Sequence, residues 1–168
     1  DAHVDRSTLA NVLKRQYKHL KNSPDLSVLE QPNTFTVTTG HQLNIFTGPL
    51  YVIYKIVTTI NLARKLKAAY PDSNFVPVYW MATEDHDFEE VNHISVFNKK
   101  IEWTDKQGGA TGRYATQSFA VVLEELKTIL GTDKYAAALM DLFTSAYQQE
   151  NLSKATRYLV NAIFGKYG

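Results

Sequence analysis

The fold turns on residues 34–81, TFTVTTGHQLNIFTGPLYVIYKIVTTINLARKLKAAYPDSNFVPVYWM. Residues 34–39 are short, β-branched and aromatic, the composition of a strand. A loop follows over 40–48. Pro49 stands where proline favours a helix start, with Thr47 or Gly48 as the cap. The spacing predicts a helix over 49–68. Leu50, Ile53, Val57 and Ile60 form one apolar face, and Val52, Ile56, Ala63 and Leu66 a neighbouring one. Such a helix is expected to pack against a sheet and a further surface. Residues 70–74 break it. Residues 75–81 form a nearly all-apolar strand, as in a parallel sheet covered on both faces, although Pro77 cannot donate to a ladder. Strand, helix, strand is a right-handed βαβ unit, and the fold class is α/β.

Outward from this unit the pattern is simpler. Residues 8–20 have helical spacing, with Ser7 or Thr8 available as a cap. Residues 94–97 and 101–104 flank Asn98, Lys99 and Lys100, which predicts a small hairpin opening a loop excursion over 98–115. Three flanking helices are expected over 119–130, 134–149 and 153–164. Trp80 and Trp103 are expected in the core. There is no internal repeat.

The 168 residues are 44% hydrophobic and 21% charged, an ordinary soluble balance. Eighteen Lys and Arg against 17 Asp and Glu give a net charge of +1, so no general drive toward nucleic acid or anionic lipid is expected. Cysteine is absent, which removes disulfides, thiolate zinc sites and a cysteine nucleophile from this segment, and a reducing compartment is compatible. The most apolar stretch carries Lys55, Arg64 and Lys65 and reads as a buried helix, not a membrane span. The polar start at Asp1 lacks a secretion signal, and the abrupt ends lead us to expect a piece of a longer protein.

Two loops can carry chemistry, because ligands of open α/β sheets bind beyond the carboxyl ends of strands. In the first, Gly40, Asn44 and Gly48 can take positive φ and let the backbone approach a ligand. His41, Gln42 and Thr47 offer hydrogen-bonding groups beside a helix N-terminus suited to phosphate or carboxylate. It is neither a Walker loop nor a dinucleotide fingerprint. A plain strand-to-helix connection would use the same residues. The second loop, Glu84, Asp85, His86 and Asp87, follows the second strand and suits ribose binding, metal binding or acid–base work. Its metal-ligand spacing is not diagnostic, and no metal is assigned. The competing structural role is a cap, with Asp87 and Glu90 resembling a capping box. His41, Gln42 and Thr47 are expected to face residues 84–87 across one cleft.

These residues resemble a known family. Thr39-Gly40-His41-Gln42 with Phe46-Thr47-Gly48-Pro49-Leu50-Tyr51, then Tyr54-Lys55-Ile56, is similar to the first signature of the cysteine-adding enzymes, or cysteine ligases, of bacillithiol biosynthesis. Val76-Pro77-Val78-Tyr79-Trp80-Met81-Ala82 running into Glu84-Asp85-His86-Asp87-Phe88, then Glu90-Val91-Asn92-His93, resembles the second. Many members carry Gln in place of His41 and Gly in place of Asn44. A hydrogen-bonding role shared by His and Gln is therefore expected at 41, and a left-handed backbone at 44.

The resemblance implies that residues 1–168 are part of a Rossmann-like core like that of class I nucleotidyl transferases, within a longer cytoplasmic enzyme that continues into a coiled coil and dimerises outside this segment. It implies amide formation between the carboxyl group of cysteine and the amine of glucosaminyl-malate, with ATP activating the carboxylate. His41, Asp85, His86 and Asp87 are the implied catalytic residues. Gly40, Gln42, Asn44, Thr47, Gly48, Tyr51 and Glu84 are the implied substrate- or nucleotide-binding residues. Neither nucleic acid nor membrane is an expected partner. Two other readings compete: a metal-dependent hydrolase built on the acidic-histidine loop, and a non-catalytic binding or assembly segment.

Overall fold

The computed structural model describes residues 4–167; His3 lies outside them. Two compact units emerge. One holds the chain up to Thr39, Tyr54–Trp80 and the stretch from Val160; the other holds Gly40–Ile53 and Met81–Leu159.

In the first unit, helix α1 (Arg6–Tyr17) begins two residues earlier than its spacing predicts. Asp5, rather than Ser7 or Thr8, is its cap, accepting the Thr8 N–H at 2.8 Å. Arg6 donates to the carbonyls of Leu29 and Thr34 at 3.1 and 3.2 Å, tying α1 to the first strand. That strand, β1, is Thr34–Gln42, and β2 is Asn74–Ala82. They pair in parallel, joined by α2 (Leu50–Ala69), so the βαβ unit is realised. At their start the Asn74 N–H donates to the Asn33 carbonyl at 2.9 Å, and the Phe35 and Phe75 rings stack 5.8 Å apart. Pro77, which offers no N–H to a ladder, stands inside β2.

On α2 the buried stripe is Val52, Ile56, Ile60 and Ala63, whereas Leu50 and Val57 are exposed. The core expectation holds for Trp103, 1% exposed, and fails for Trp80, 61% exposed and the one exposed residue of an otherwise half-buried β2. The end of α6 (Leu152–Phe164) belongs to this unit. There Asn161 donates to the Asn22 carbonyl at 2.5 Å and accepts the Asn22 N–H at 3.2 Å. Gly165 follows because a Cβ there would lie 2.6 Å from the Asn161 carbonyl oxygen.

The second unit is organised around aromatic rings. Phe46 meets Phe119, Phe143 and Tyr147 edge-on, with centroids 4.7–5.6 Å apart. Phe119 and Tyr147 stack at 3.5 Å. These rings come from the first loop, the start of α4 (Ala120–Leu130) and α5 (Lys134–Tyr147). Helix α5 is capped by Asp133, which accepts from Tyr135 and Ala136. After β2 comes a single helical turn, α3 (Phe88–Val91), then the hairpin of β3 (His93–Val96) and β4 (Lys99–Glu102). Val96 opposes Lys99, so the turn is Phe97-Asn98, one residue earlier than expected. Both residues have positive φ, 49° and 62°, the geometry of a two-residue type I′ turn that follows strand twist.

Candidate functional site

Strands β1 and β2 are parallel, so their carboxyl ends deliver both predicted loops to the same unit. The first loop is fixed from below. Leu43, Ile45 and Phe46 are buried, the Ile45 N–H donates to the Val91 carbonyl at 3.0 Å, and the Phe46 N–H donates to the Tyr147 hydroxyl at 2.5 Å. Positive φ falls at Phe46 (54°) and Gly48 (63°), not at Gly40 or Asn44. The left-handed expectation at 44 is thus corrected. Asn44 serves through its side chain instead, donating to the Gln42 carbonyl at 3.2 Å. It also fills the space over Gly48, where a Cβ would lie 2.8 Å from the Asn44 Cβ.

His41 Nδ1 lies 3.2 Å from the Gln42 carbonyl and 3.1 Å from Asn44 Nδ2. It donates to the first in one tautomer and accepts from the second in the other. The His41 ring meets Tyr51 edge-on at 6.4 Å, and Tyr51 is exposed. Thr47 is half-buried in the turn before α2.

Gln42 joins the loops. Its Nε2 donates to Asp85 at 2.8 Å and to Glu90 at 3.0 Å. Asp85 also accepts the Asp87 N–H at 2.9 Å. That N–H and the Gln42 amide hold the Asp85 carboxyl below the usual range. It is therefore ionised and weakly basic, better suited to holding a donor than to removing a proton. Asp87 accepts the Glu90 N–H at 3.4 Å and caps α3, so the capping geometry is present.

The remaining side chains of the second loop diverge. His86 and Asp87 line an open cleft with Phe88, Glu89, Gln107 and Tyr114. Gln107 is held by Asp105 at 2.9 Å and by the Ala115 backbone. Glu84 lines a separate cavity with Thr83, Arg113, Lys154 and Arg157. Neither cavity is lined by the described residues of 41–48, so contact between the loops runs through Gln42 and the Ile45–Val91 backbone bond. Sequence reading missed Gln107, Arg113, Lys154 and Arg157. The one available signal was Lys154 and Arg157, spaced three apart beyond the Asn151 cap. Among the described residues no three His, Asp or Glu side chains group so as to hold a metal ion.

The chain matches, over residues 1–168, the family model described as bacillithiol biosynthesis BshC, N-terminal Rossmann-like domain. The chain belongs to this family. Its fold is Rossmann-like, as the parallel pair at the site indicates. It is similar to a protein of Flavobacterium psychrophilum, 50% identical across 97% of this chain and 32% of the relative. A relative in Flavobacterium johnsoniae is 47% identical across 98% of the chain and 32% of its own length. A more distant one in Natranaerobius thermophilus is 33% identical across 97% and 32%. All three bear the name "Putative cysteine ligase BshC". The chain thus spans about a third of these relatives, the portion named for its Rossmann-like fold. No described helix is long and apolar enough to cross a membrane.

Proposed function

We propose that this chain forms part of the active site of a cysteine ligase, which joins the carboxyl group of cysteine to the amine of glucosaminyl-malate after ATP activates the carboxylate. The observation that carries the reading is the Gln42 bridge to Asp85 and Glu90. It couples the two family signatures at the strand ends where α/β sheets bind ligands. The relatives' shared name supports the ligase class.

A carboxylate is a poor acyl donor, so it is first converted to an adenylate or acyl phosphate. The amine then attacks, the acyl–phosphate bond breaks, and the amine loses a proton as the amide forms. In this reading His86 and Asp87, which line an open cleft, meet that amine and take its proton. Asp85 holds Gln42 in position. His41 presents a ring nitrogen whose tautomer its neighbours can set. The whole protein acts as a cytoplasmic homodimer on small molecules. The test is to incubate the full-length protein with cysteine, glucosaminyl-malate and ATP and weigh the products. A product of the summed mass less one water, dependent on ATP, is expected; its absence overturns the reading.

A further inference from the structure

The cavity on the Glu84 side of the second loop has a different chemistry from the cleft beside His86. It encloses about 300 Å³, at the small end of the range for ligand sites. Three cationic side chains line it against one carboxylate: Arg113, Lys154 and Arg157 against Glu84. Thr83 and Ser153 add hydroxyl groups. Lys154 is paired with Glu150, outside the lining. Among the described residues the Arg113 guanidinium has no ion-pair or hydrogen-bond partner within the protein.

The cations stand on separate segments brought together by backbone bonds. Thr111 donates its N–H to the Asp85 carbonyl at 2.7 Å, and Gly112 donates to the Thr83 carbonyl at 3.0 Å. The Leu152 N–H, at the start of α6, donates to the Tyr114 carbonyl at 2.9 Å. Gly112 allows this closeness, since a Cβ there would sit 2.6 Å from the Thr83 carbonyl oxygen. Leu152 and Lys154 already use their N–H groups, the latter on the Asn151 side chain at 3.0 Å. The helix end therefore contributes little, and recognition falls to side chains. Two guanidinium groups lining one small cavity match an oxyanion, which they can bind bidentately.

We propose that this cavity binds the oxyanion end of a small ligand, a phosphate or a carboxylate, through Arg113 and Arg157, with the Thr83 and Ser153 hydroxyls completing its hydrogen bonds. The assignment stands apart from the ligase reading, because it is tested by binding without turnover. Full-length protein is titrated calorimetrically with inorganic phosphate and, separately, with succinate, at fixed ionic strength in chloride. At least one of the two is expected to bind, and the tighter one identifies the source of the oxyanion. Arg113→Gln and Arg157→Gln should each weaken that binding about tenfold, the scale of one lost charge-assisted bond. Circular dichroism checks that each variant folds, and either variant suffices if the other does not. Wild-type protein that binds neither anion, or a folded pair of arginine variants that bind as tightly as wild type, would overturn the proposal. Anion binding in a protein that makes no amide would leave this site standing and sink the ligase reading alone.

Discussion

The backbone N–H of Phe46 donates to the hydroxyl of Tyr147, 101 residues later in the chain. Tyr147 is buried, its hydroxyl is kept protonated by burial, and its ring stacks on Phe119. One hydroxyl thus satisfies a buried amide in the loop that carries Gln42. Tyr147→Phe keeps the ring and leaves that amide unpaired. We expect a loss of about 1–3 kcal/mol, read by urea denaturation.

Gln42 faces two carboxylates with one amide group. Gln42→Glu would place a third carboxylate there. Both hydrogen bonds are lost and like charges meet. The two loops should separate, and turnover by the full-length protein should fall at least about tenfold, the cost of a hydrogen bond to a charged group. Product mass against time is the measurement. Gln42→Glu at wild-type rate would show that the bridge is dispensable.

Asp87 caps α3 and also lines the cleft beside His86. Asparagine caps as well as aspartate, so Asp87→Asn should leave the melting temperature unchanged. If the carboxylate meets the reacting amine, the same variant should lose about two to four powers of ten in turnover. Near-normal product formation at an unchanged melting temperature would leave Asp87 a cap and nothing more.

Acid should weaken the fold in a definite direction. Asp85 is held low by the Asp87 N–H and Gln42, Asp105 by the Ser118 hydroxyl, and Asp133 by the Ala136 and Tyr135 N–H groups. Each depressed carboxyl binds its proton more readily unfolded than folded. The stabilisation is therefore complete above the ordinary aspartate value of about 3.9 and is lost as pH falls through the lower folded values. Melting temperatures from pH 7 to pH 2 should be flat at first and drop below about pH 4. A drop beginning near pH 6 would point to histidines instead.

Gly112→Ala tests the seam between the 3-10 turn at Thr111–Arg113 and the second loop. Its Cβ would press on backbone, the Thr83 carbonyl at 2.6 Å, which cannot turn aside as a side chain can. A destabilisation of about 1–3 kcal/mol is expected, from overpacking, in a denaturant titration.

What could be read from the chain and what could not divide along a physical line. The βαβ unit was legible because two short runs rich in β-branched, aromatic and apolar residues, each bounded by turn residues, flank a long stretch of helical period between Thr34 and Ala82. Local signals that depend on one hydrogen bond drifted by a residue or two: the Asp5 cap and the turn at Phe97 and Asn98. The candidate loops were legible from topology, yet their internal arrangement was not. Nothing in Leu43, Ile45 and Phe46 announces that a glycine-bearing loop is a core anchor, because three apolar residues are too few to show a period. Arg113 and Arg157 stand 44 positions apart in sequence, and bonds made far along the chain bring them to one cavity: those from Thr111 and Gly112 to the second loop, from Leu152 to Tyr114, and the bridge between Ala115 and Asn151.

Those backbone bonds have one more effect. Thr83 and Asp85 accept at their carbonyls from Gly112 and Thr111, and the residues between them turn, with the Thr83 N–H on the Met81 carbonyl and the Asp85 N–H on the Ala82 carbonyl. The two clamps leave room for one residue between them, Glu84, which lines the arginine cavity, while Asp85 reaches Gln42. Deleting a single residue between Ala82 and Asp85 would break at least one clamp and draw an acid away from its partner. The length of this short segment is thus as much a part of the site as the identity of its acids, and point substitutions alone would never reveal it.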